Sequence, residues 1–281
     1  MRKSLLETIL DPEQLSVRFQ PIFRIADGDH QIHGVEALIR GPRGTHFESA
    51  QMLFDYVHRK KEERAVDYSC LAAICAEAVK LPRELRINVN VHAATLGQQP
   101  GFLDSFRRRV HKHSLSLDRF TVEIVEYAPN CDIPELLHTI AGLRNAGVRI
   151  ALDDVGLGQS NYRMMLDCYP EYFKLDSYFV HGLRHDPKRR AVVESVVAFG
   201  RALHSAVVAE GVEAMEDITL LANMGVEFVQ CNLLCPALRL EELFAAGHVA
   251  RPHLPSASRR TMGAEETKKA AFSGAPAVLV S

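Results

Sequence analysis

The sequence predicts an α/β fold of the TIM-like (β/α)8 barrel type, on three observations. Eight extended runs alternate with helical patterns along the 281 residues, the first two runs follow one another directly as a hairpin would, and polar residues stand at the ends of seven runs. A doubly wound open sheet would also alternate in this way. It fits less well, because Gly156-x-Gly158 is followed by Asn161 where a dinucleotide fingerprint needs its third glycine, and no G-x-x-x-x-G-K-[ST] loop occurs.

Taken in order, Leu5 to Leu10 has helical spacing and Asp11-Pro12 stops it. Val17 to Ile25 is the first extended run; the turn residues Asp27-Gly28-Asp29 lead into the second, Gln31 to Ile39, and the pair is expected to form a hairpin. Glu36 and Arg40 lie among apolar neighbours there, and a carboxylate in such a place needs a partner. Phe47 to Val79 holds two helical patterns, closed by Pro82. Leu85 to Val91 is the third run, with Asn88 and Asn90 on one side by the strand period of two, and a helix with a basic outer face covers Gly101 to His113. Phe120 to Glu126 is the fourth run, carrying Glu123 and Glu126, and the helix from Ile133 to Ala146 ends at Gly147.

The fifth run, Arg149 to Leu152, is apolar beyond its first residue, as expected of a strand covered on both faces, and delivers Asp153 and Asp154 to the turn at Gly156 and Gly158. Tyr172 to Val180 reads as the sixth run, with Lys174 and Asp176, followed by a helix from Pro187 to His204. Ala206 to Val212 is the seventh, ending at Glu210; a helix covers Ala214 to Met224; Val226 to Leu234 is the eighth, bearing Gln230; and Leu240 to Ala246 closes the fold. Residues 1–250 are read as the barrel. Residues 251–281, rich in Pro, Ser, Ala, Arg and Lys without clear period, are read as a flexible C-terminal tail.

Composition narrows the function. With 47% hydrophobic and 24% charged residues, a formal net charge of −2 and a pI near 6.7, there is no global electrostatic case for a nucleic acid polymer or a membrane as partner. No apolar run is long enough to span a bilayer and the first ten residues do not form a signal peptide, so a cytoplasmic location is expected. The six cysteines show no C-x-x-C spacing and are expected to be reduced thiols. Arg107-Arg-Arg109 with Lys112 reads as a solvated helix face, and His111 and His113 diverge on that helix.

In a barrel, Glu36, Asn90, Glu123, Asp153, Asp154, Lys174, Glu210 and Gln230 would project from seven strand ends toward one mouth. Two carboxylates about 4 Å apart repel by about 4 kcal/mol at an effective dielectric near 20, so five cannot all stay ionised without cations. Either some are protonated or divalent ions sit among them. All the donors are oxygens, with no His or Cys, which favours two ions of Mg²⁺ or Mn²⁺ over Zn²⁺. Adjacent aspartates such as Asp153 and Asp154 suit bridging two ions about 3.5 to 4 Å apart, the arrangement used for in-line attack on phosphodiesters. Lys174, kept cationic by its neighbours, would orient the attacking oxygen or stabilise charge growing on the phosphate. A phosphate ester is the implied substrate class.

At these residues the chain resembles the EAL-domain family, the cyclic di-GMP phosphodiesterases of bacteria. Glu36-Ala37-Leu38 is the signature triplet, and Gln20-Pro21-Ile22, Asn90, Glu123-Ile-Val-Glu126, Asp153-Asp154-x-Gly156-x-Gly158, Lys174-Leu-Asp176 and Glu210-Gly-Val-Glu213 follow in the family's order and spacing. The resemblance implies a barrel whose first strand runs antiparallel, and hydrolysis of cyclic di-GMP to linear pGpG. It assigns the ions to Glu36, Asn90, Glu123, Asp153 and Asp154, with Glu210 and Gln230 completing the catalytic set and Lys174 positioning the attacking water. Arg40, with Leu38 and Gln20, would hold substrate. Glu126, Gly156 and Gly158 would anchor the loop after the two aspartates, a loop that the family links to activity and dimerisation, so a homodimer is expected. Val155, Gln159, Asn161, Cys231-Asn232 and His92 depart from the family's usual residues, and Pro236 arrives one residue early. They leave the donor set intact and alter the loop, which keeps open a catalytically weak relative acting as a cyclic di-GMP receptor or protein-interaction module. With the barrel occupying nearly all of the chain, control is expected from dimerisation, a regulatory protein partner or the tail.

Overall fold

A computed structural model of the protein describes residues 5–25, 30–97, 101–125, 131–157 and 162–250. Eight strands close a barrel in sequence order: β1 (Ser16–Arg24), β2 (Gln31–Arg40), β3 (Arg86–His92), β4 (Phe120–Val125), β5 (Arg149–Val155), β6 (Tyr172–Leu175), β7 (Ala206–Glu210) and β8 (Phe228–Gln230). β1 is antiparallel to both β2 and β8, and every other neighbour pair is parallel. A two-strand hairpin forces the first reversal. The turn expected at Asp27-Gly28-Asp29 lies outside the described residues.

Helices α1 (Leu5–Ile9), α2 (Ala50–Lys60), α3 (Glu63–Ala78), α4 (Ala93–Gly97), α5 (Phe102–Lys112), α6 (Ile133–Asn145), α7 (Tyr162–Cys168), α8 (Ser177–Val180), α9 (Pro187–Leu203), α10 (Met215–Met224) and α11 (Leu240–Ala245) accompany the strands. Their ends follow local chemistry. Asp132 and Asp186 accept hydrogen bonds from backbone N–H groups in the first turns of α6 and α9, each ahead of a proline in the first turn. The main core lies between these helices and the outward side of the strands, where Phe19, Val35, Ile87, Val122, Leu152 and Phe173 are buried. Truncating one such ring, Phe173 against Phe199, would cost about 3–5 kcal/mol. No helix among the described residues is long and apolar enough to cross a membrane.

Two extended runs are shorter than the sequence pattern predicts. β6 ends at Leu175 because the Asp176 carboxylate accepts the Tyr178 N–H at 2.7 Å and caps α8, so Tyr172 to Val180 is half strand and half helix. Asp176 is therefore a cap rather than a member of the acidic set. β8 ends at Gln230, and the chain turns at Asn232 to Leu234 before Leu238 bridges to Phe19.

The barrel has two irregularities in register. In β5, Leu152 pairs with Phe173 and Val155 with Leu175, so Asp153 and Asp154 together face the single position Lys174. In β2, Gly34 pairs with Ile22 and Ile32 with Phe23, leaving His33 as the extra residue. Between them, Ile22, Ala151, Tyr172, Val208 and Phe228 form a small apolar cluster apart from the main core.

Candidate active site

The parallel strands present their C-terminal ends to one mouth, and the predicted polar residues meet there. Lys174 is 2% exposed, and its ammonium lies 2.7 Å from Glu210 Oε1, 2.8 Å from Glu123 Oε2, 3.1 Å from Asp153 Oδ1 and 3.2 Å from Glu36 Oε2. Four carboxylates from β2, β4, β5 and β7 thus share one cation. Burial alone would lower the Lys174 pKa, but Asp153, Glu123, Glu210 and Glu36 together hold it well above its ordinary value. It stays charged across the physiological range.

Amides fix the carboxylates in place. Asn90 Nδ2 donates to Glu36 Oε1 and Gln230 Nε2 to Glu36 Oε2, both at 2.6 Å, while Asn88 Nδ2 donates to Glu123 Oε1 at 2.6 Å. Burial pushes the Glu36 pKa up, but Lys174, Gln230 and Asn90 outweigh it and the carboxyl is held below its ordinary range. Burial raises Glu123 well above that range, with Glu36 and Asp153 adding to the push. Glu210 is pushed up to about 8, by burial first and by Asp153 and Glu36 against the pull of Lys174. One lysine does not neutralise four carboxylates, so the mouth retains protons or takes further cations.

The donor set fits a hard divalent ion. Its atoms are oxygens, and the buried Asn90 Oδ1 accepts no hydrogen bond among the described residues. Glu36, Asn90, Glu123, Asp153 and Asp154 are the residues that would hold such ions. Among the described residues no three Asp, Glu, His or Cys groups converge as an ion cage, and Lys174 stands at the point where the carboxylates meet. The bulge accounts for the second aspartate: Asp154 has a φ of 50°, a left-handed conformation that aspartate tolerates, and lines the same cavity as Asp153.

That cavity, of about 350 Å³, runs from Glu36, Asn90, Asp153 and Asp154 past Leu38 and Arg40 to Phe54, Ile74 and His92. Arg40 is half-buried and donates to the Ile39 carbonyl at 2.9 Å. Gln20 accepts from Gln230 Nε2 at 3.2 Å and donates to Asn232 Oδ1 at 3.2 Å, so it braces the opposite rim. Gly156 has a φ of 96°, and a Cβ there would lie 2.6 Å from the Phe179 ring, which ties the glycine to α8. Glu126, Gly158, Gln159 and Asn161 lie outside the described residues.

The polar residues expected at the mouth lie together there, and two further supports carry little sign in the sequence. Asn88 was legible as the strand-mate of Asn90, though not as a hydrogen-bond donor to Glu123. Asp67, on the inner side of α3, takes hydrogen bonds from Thr95 Oγ1 at 2.5 Å and the His92 backbone at 3.1 Å, and pairs with His92 Nδ1 at 2.8 Å. An aspartate two positions after Ala65 in a helical pattern carries no local sign of that role.

A family model for the EAL domain matches residues 2–237. The cyclic di-GMP phosphodiesterase NbdA of Pseudomonas aeruginosa is 26% identical over 88% of this chain and 32% of its own length. The c-di-GMP complex of the PaMucR phosphodiesterase superposes with a TM-score of 0.73 at 27% identity, over 85% of this chain and 97% of that one. The manganese and cyclic di-GMP complex of Klebsiella pneumoniae BlrP1 superposes with a TM-score of 0.67 at 25% identity, over 80% of this chain and 60% of that one. This chain spans about a third of the length of the curated relatives it matches. It belongs to the EAL-domain family.

Proposed function

We propose that this EAL-domain chain is a phosphodiesterase that hydrolyses cyclic di-GMP to linear pGpG, with two Mg²⁺ or Mn²⁺ ions held by Glu36, Asn90, Glu123, Asp153 and Asp154. The observation that carries the reading is the convergence of four carboxylates and one buried, permanently charged lysine at a barrel mouth. When bound, the ions supply Lewis acidity and lower the pKa of water at the site. The chain supplies the rest. Lys174 directs a cationic N–H at the attacking oxygen or at charge growing on the phosphate. Gln230 and Asn90 lock Glu36 in its ionised form, and Asn88 orients Glu123. Glu210, with its raised pKa, holds a proton near neutrality and can release it beside Lys174. Arg40, Leu38 and Gln20 line the rim where the rest of the dinucleotide would lie.

The same reading includes a cytoplasmic homodimer and control by a protein partner. Tyr162, Leu166 and Tyr169 on and beside α7 are about half exposed, and such a face favours a subunit contact.

The test is incubation of the purified chain with cyclic di-GMP and Mg²⁺ or Mn²⁺, with EDTA and Glu36→Ala controls, followed by chromatography. Metal-dependent pGpG that disappears in both controls is the expected result. A folded protein that binds cyclic di-GMP without product would instead establish the receptor reading that the altered loop residues favour.

A further inference from the structure

The opposite end of the barrel carries a second polar cluster that the acidic mouth does not use. Arg24 ends β1, Arg86 opens β3 and Arg149 opens β5; by the strand period of two they share the interior side with Ile22, Asn88 and Ala151. Arg149 Nη1 donates to the Tyr172 hydroxyl at 2.9 Å, and His33 Nε2 lies 3.0 Å from the same oxygen. The His33 ring tilts against Phe228 with centroids 4.4 Å apart. Arg86 gives one N–H to the Asp118 carbonyl at 3.1 Å. None of the three arginines is ion-paired with a carboxylate among the described residues.

Two further observations set this cluster apart from scattered surface arginines. The bulge in β2 is at His33 itself, and bulges of this kind re-aim a side chain. Gly34 beside it lets Arg86 approach, since a Cβ there would meet Arg86 Cβ at 3.0 Å. The charged groups that act on His33 are all cations: burial and then Arg86, Arg149 and Arg24 push its imidazole down to about 4. Asp118 offsets the charge of Arg86 in part, and the floor is otherwise a concentration of positive charge beside the apolar cluster of Ile22, Ala151, Val208 and Phe228.

We propose that the floor of the barrel binds an oxyanion of the phosphate class, as free phosphate or as a phosphomonoester, through Arg24, Arg86 and Arg149. Guanidinium forks match phosphate oxygens in pairs; Arg86 and Arg149 are half-buried, which strengthens such charge-assisted bonds, while Arg24 is exposed at the rim. Tyr172 orients Arg149, and His33 packs beside the ligand as a neutral ring. The site is independent of cyclic di-GMP hydrolysis and is tested without it.

The experiment titrates the full chain, in EDTA, with inorganic phosphate in one arm and ribose 5-phosphate in the other, at constant ionic strength set by chloride. The readout is the ring resonances of His33, identified among the 13 histidines by their absence in His33→Gln. A saturable shift is expected, weakened about tenfold or more in the double variant Arg86→Gln, Arg149→Gln. Arg149→Lys keeps the charge but loses the fork, and should weaken binding by about threefold or more even if the double variant does not fold. Tighter binding in the second arm would identify a phosphorylated metabolite as the ligand; equal binding would identify phosphate itself. A shift that rises linearly and is matched by chloride means an adventitious ion only, and it overturns the proposal, as does undiminished binding in Arg149→Lys.

Discussion

One end of the barrel gathers four carboxylates around a lysine; the other gathers three arginines around a tyrosine and a neutral histidine. Both clusters are made the same way, by interior-facing positions at strand ends together with one register irregularity, yet they are completed differently. At the mouth the opposing charge comes from within the chain, through Lys174. At the floor no carboxylate is ion-paired with the arginines among the described residues. The difference teaches that the same backbone device can give a cluster that is partly compensated in itself and one that is not. The first should resist losing a member more poorly than the second.

Removing Lys174 should have the largest effect. Lys174→Met leaves buried carboxylates without their cation, and stability in EDTA should fall by about 3–5 kcal/mol by urea titration. Addition of Mg²⁺ or Mn²⁺ should recover part of the loss. A loss below about 1 kcal/mol would mean that the mouth is no more strained than an exposed ion pair. Next comes Glu36→Ala, which should lower cyclic di-GMP hydrolysis about a hundredfold or more, measured as initial rate of pGpG release. Wild-type-like turnover would remove the mouth from the chemistry.

The floor gives smaller effects, and the first is set by pH. The folded pKa of His33, about 4, lies below the ordinary value of 6.5, so between these values the unfolded chain binds more protons and stability is lost as pH falls. After a discount for partial exposure, the loss should be about 1–2 kcal/mol, read as the difference between wild type and His33→Gln from pH 7 to 4. Parallel curves would mean that His33 titrates as it does in the unfolded chain. The smallest change is Tyr172→Phe, which removes the acceptor for Arg149 and should cost about 1 kcal/mol in thermal or chemical unfolding. Hydrolysis should stay within about twofold of wild type, and a larger drop would tie the two ends together.

The barrel and its mouth were legible in the sequence because both are written in local pattern. Strand residues at Ile87, Val89 and Val91 alternate with Asn88 and Asn90, Asp153 and Glu210 follow the apolar residues of their strands, and Glu36 and Glu123 stand among apolar neighbours within theirs. Where local pattern was ambiguous, the reading failed. The aromatic and branched residues from Tyr172 to Val180 look extended throughout, and only the cap made by Asp176 turns the second half into α8. The same holds for Val226 to Leu234, where pairing with β7 stops at Gln230 and pairing with β1 at Val229. The floor was not legible at all, because Arg24, Arg86 and Arg149 are distant in the chain and meet only when the barrel closes. Asp67 and His92, likewise, recognise each other 25 positions apart.

The irregularity in β5 has a consequence for how such a site is inherited. Because Asp153 and Asp154 together oppose Lys174, the second acid occupies an added position, and the outward residues Leu152 and Val155 keep their places in the core. Gaining or losing that acid is thus a matter of one inserted or deleted codon rather than of an exchange. Deleting Asp154 should leave the ladder regular and the hydrophobic phase unbroken, so the barrel is expected to fold with half of the aspartate pair removed.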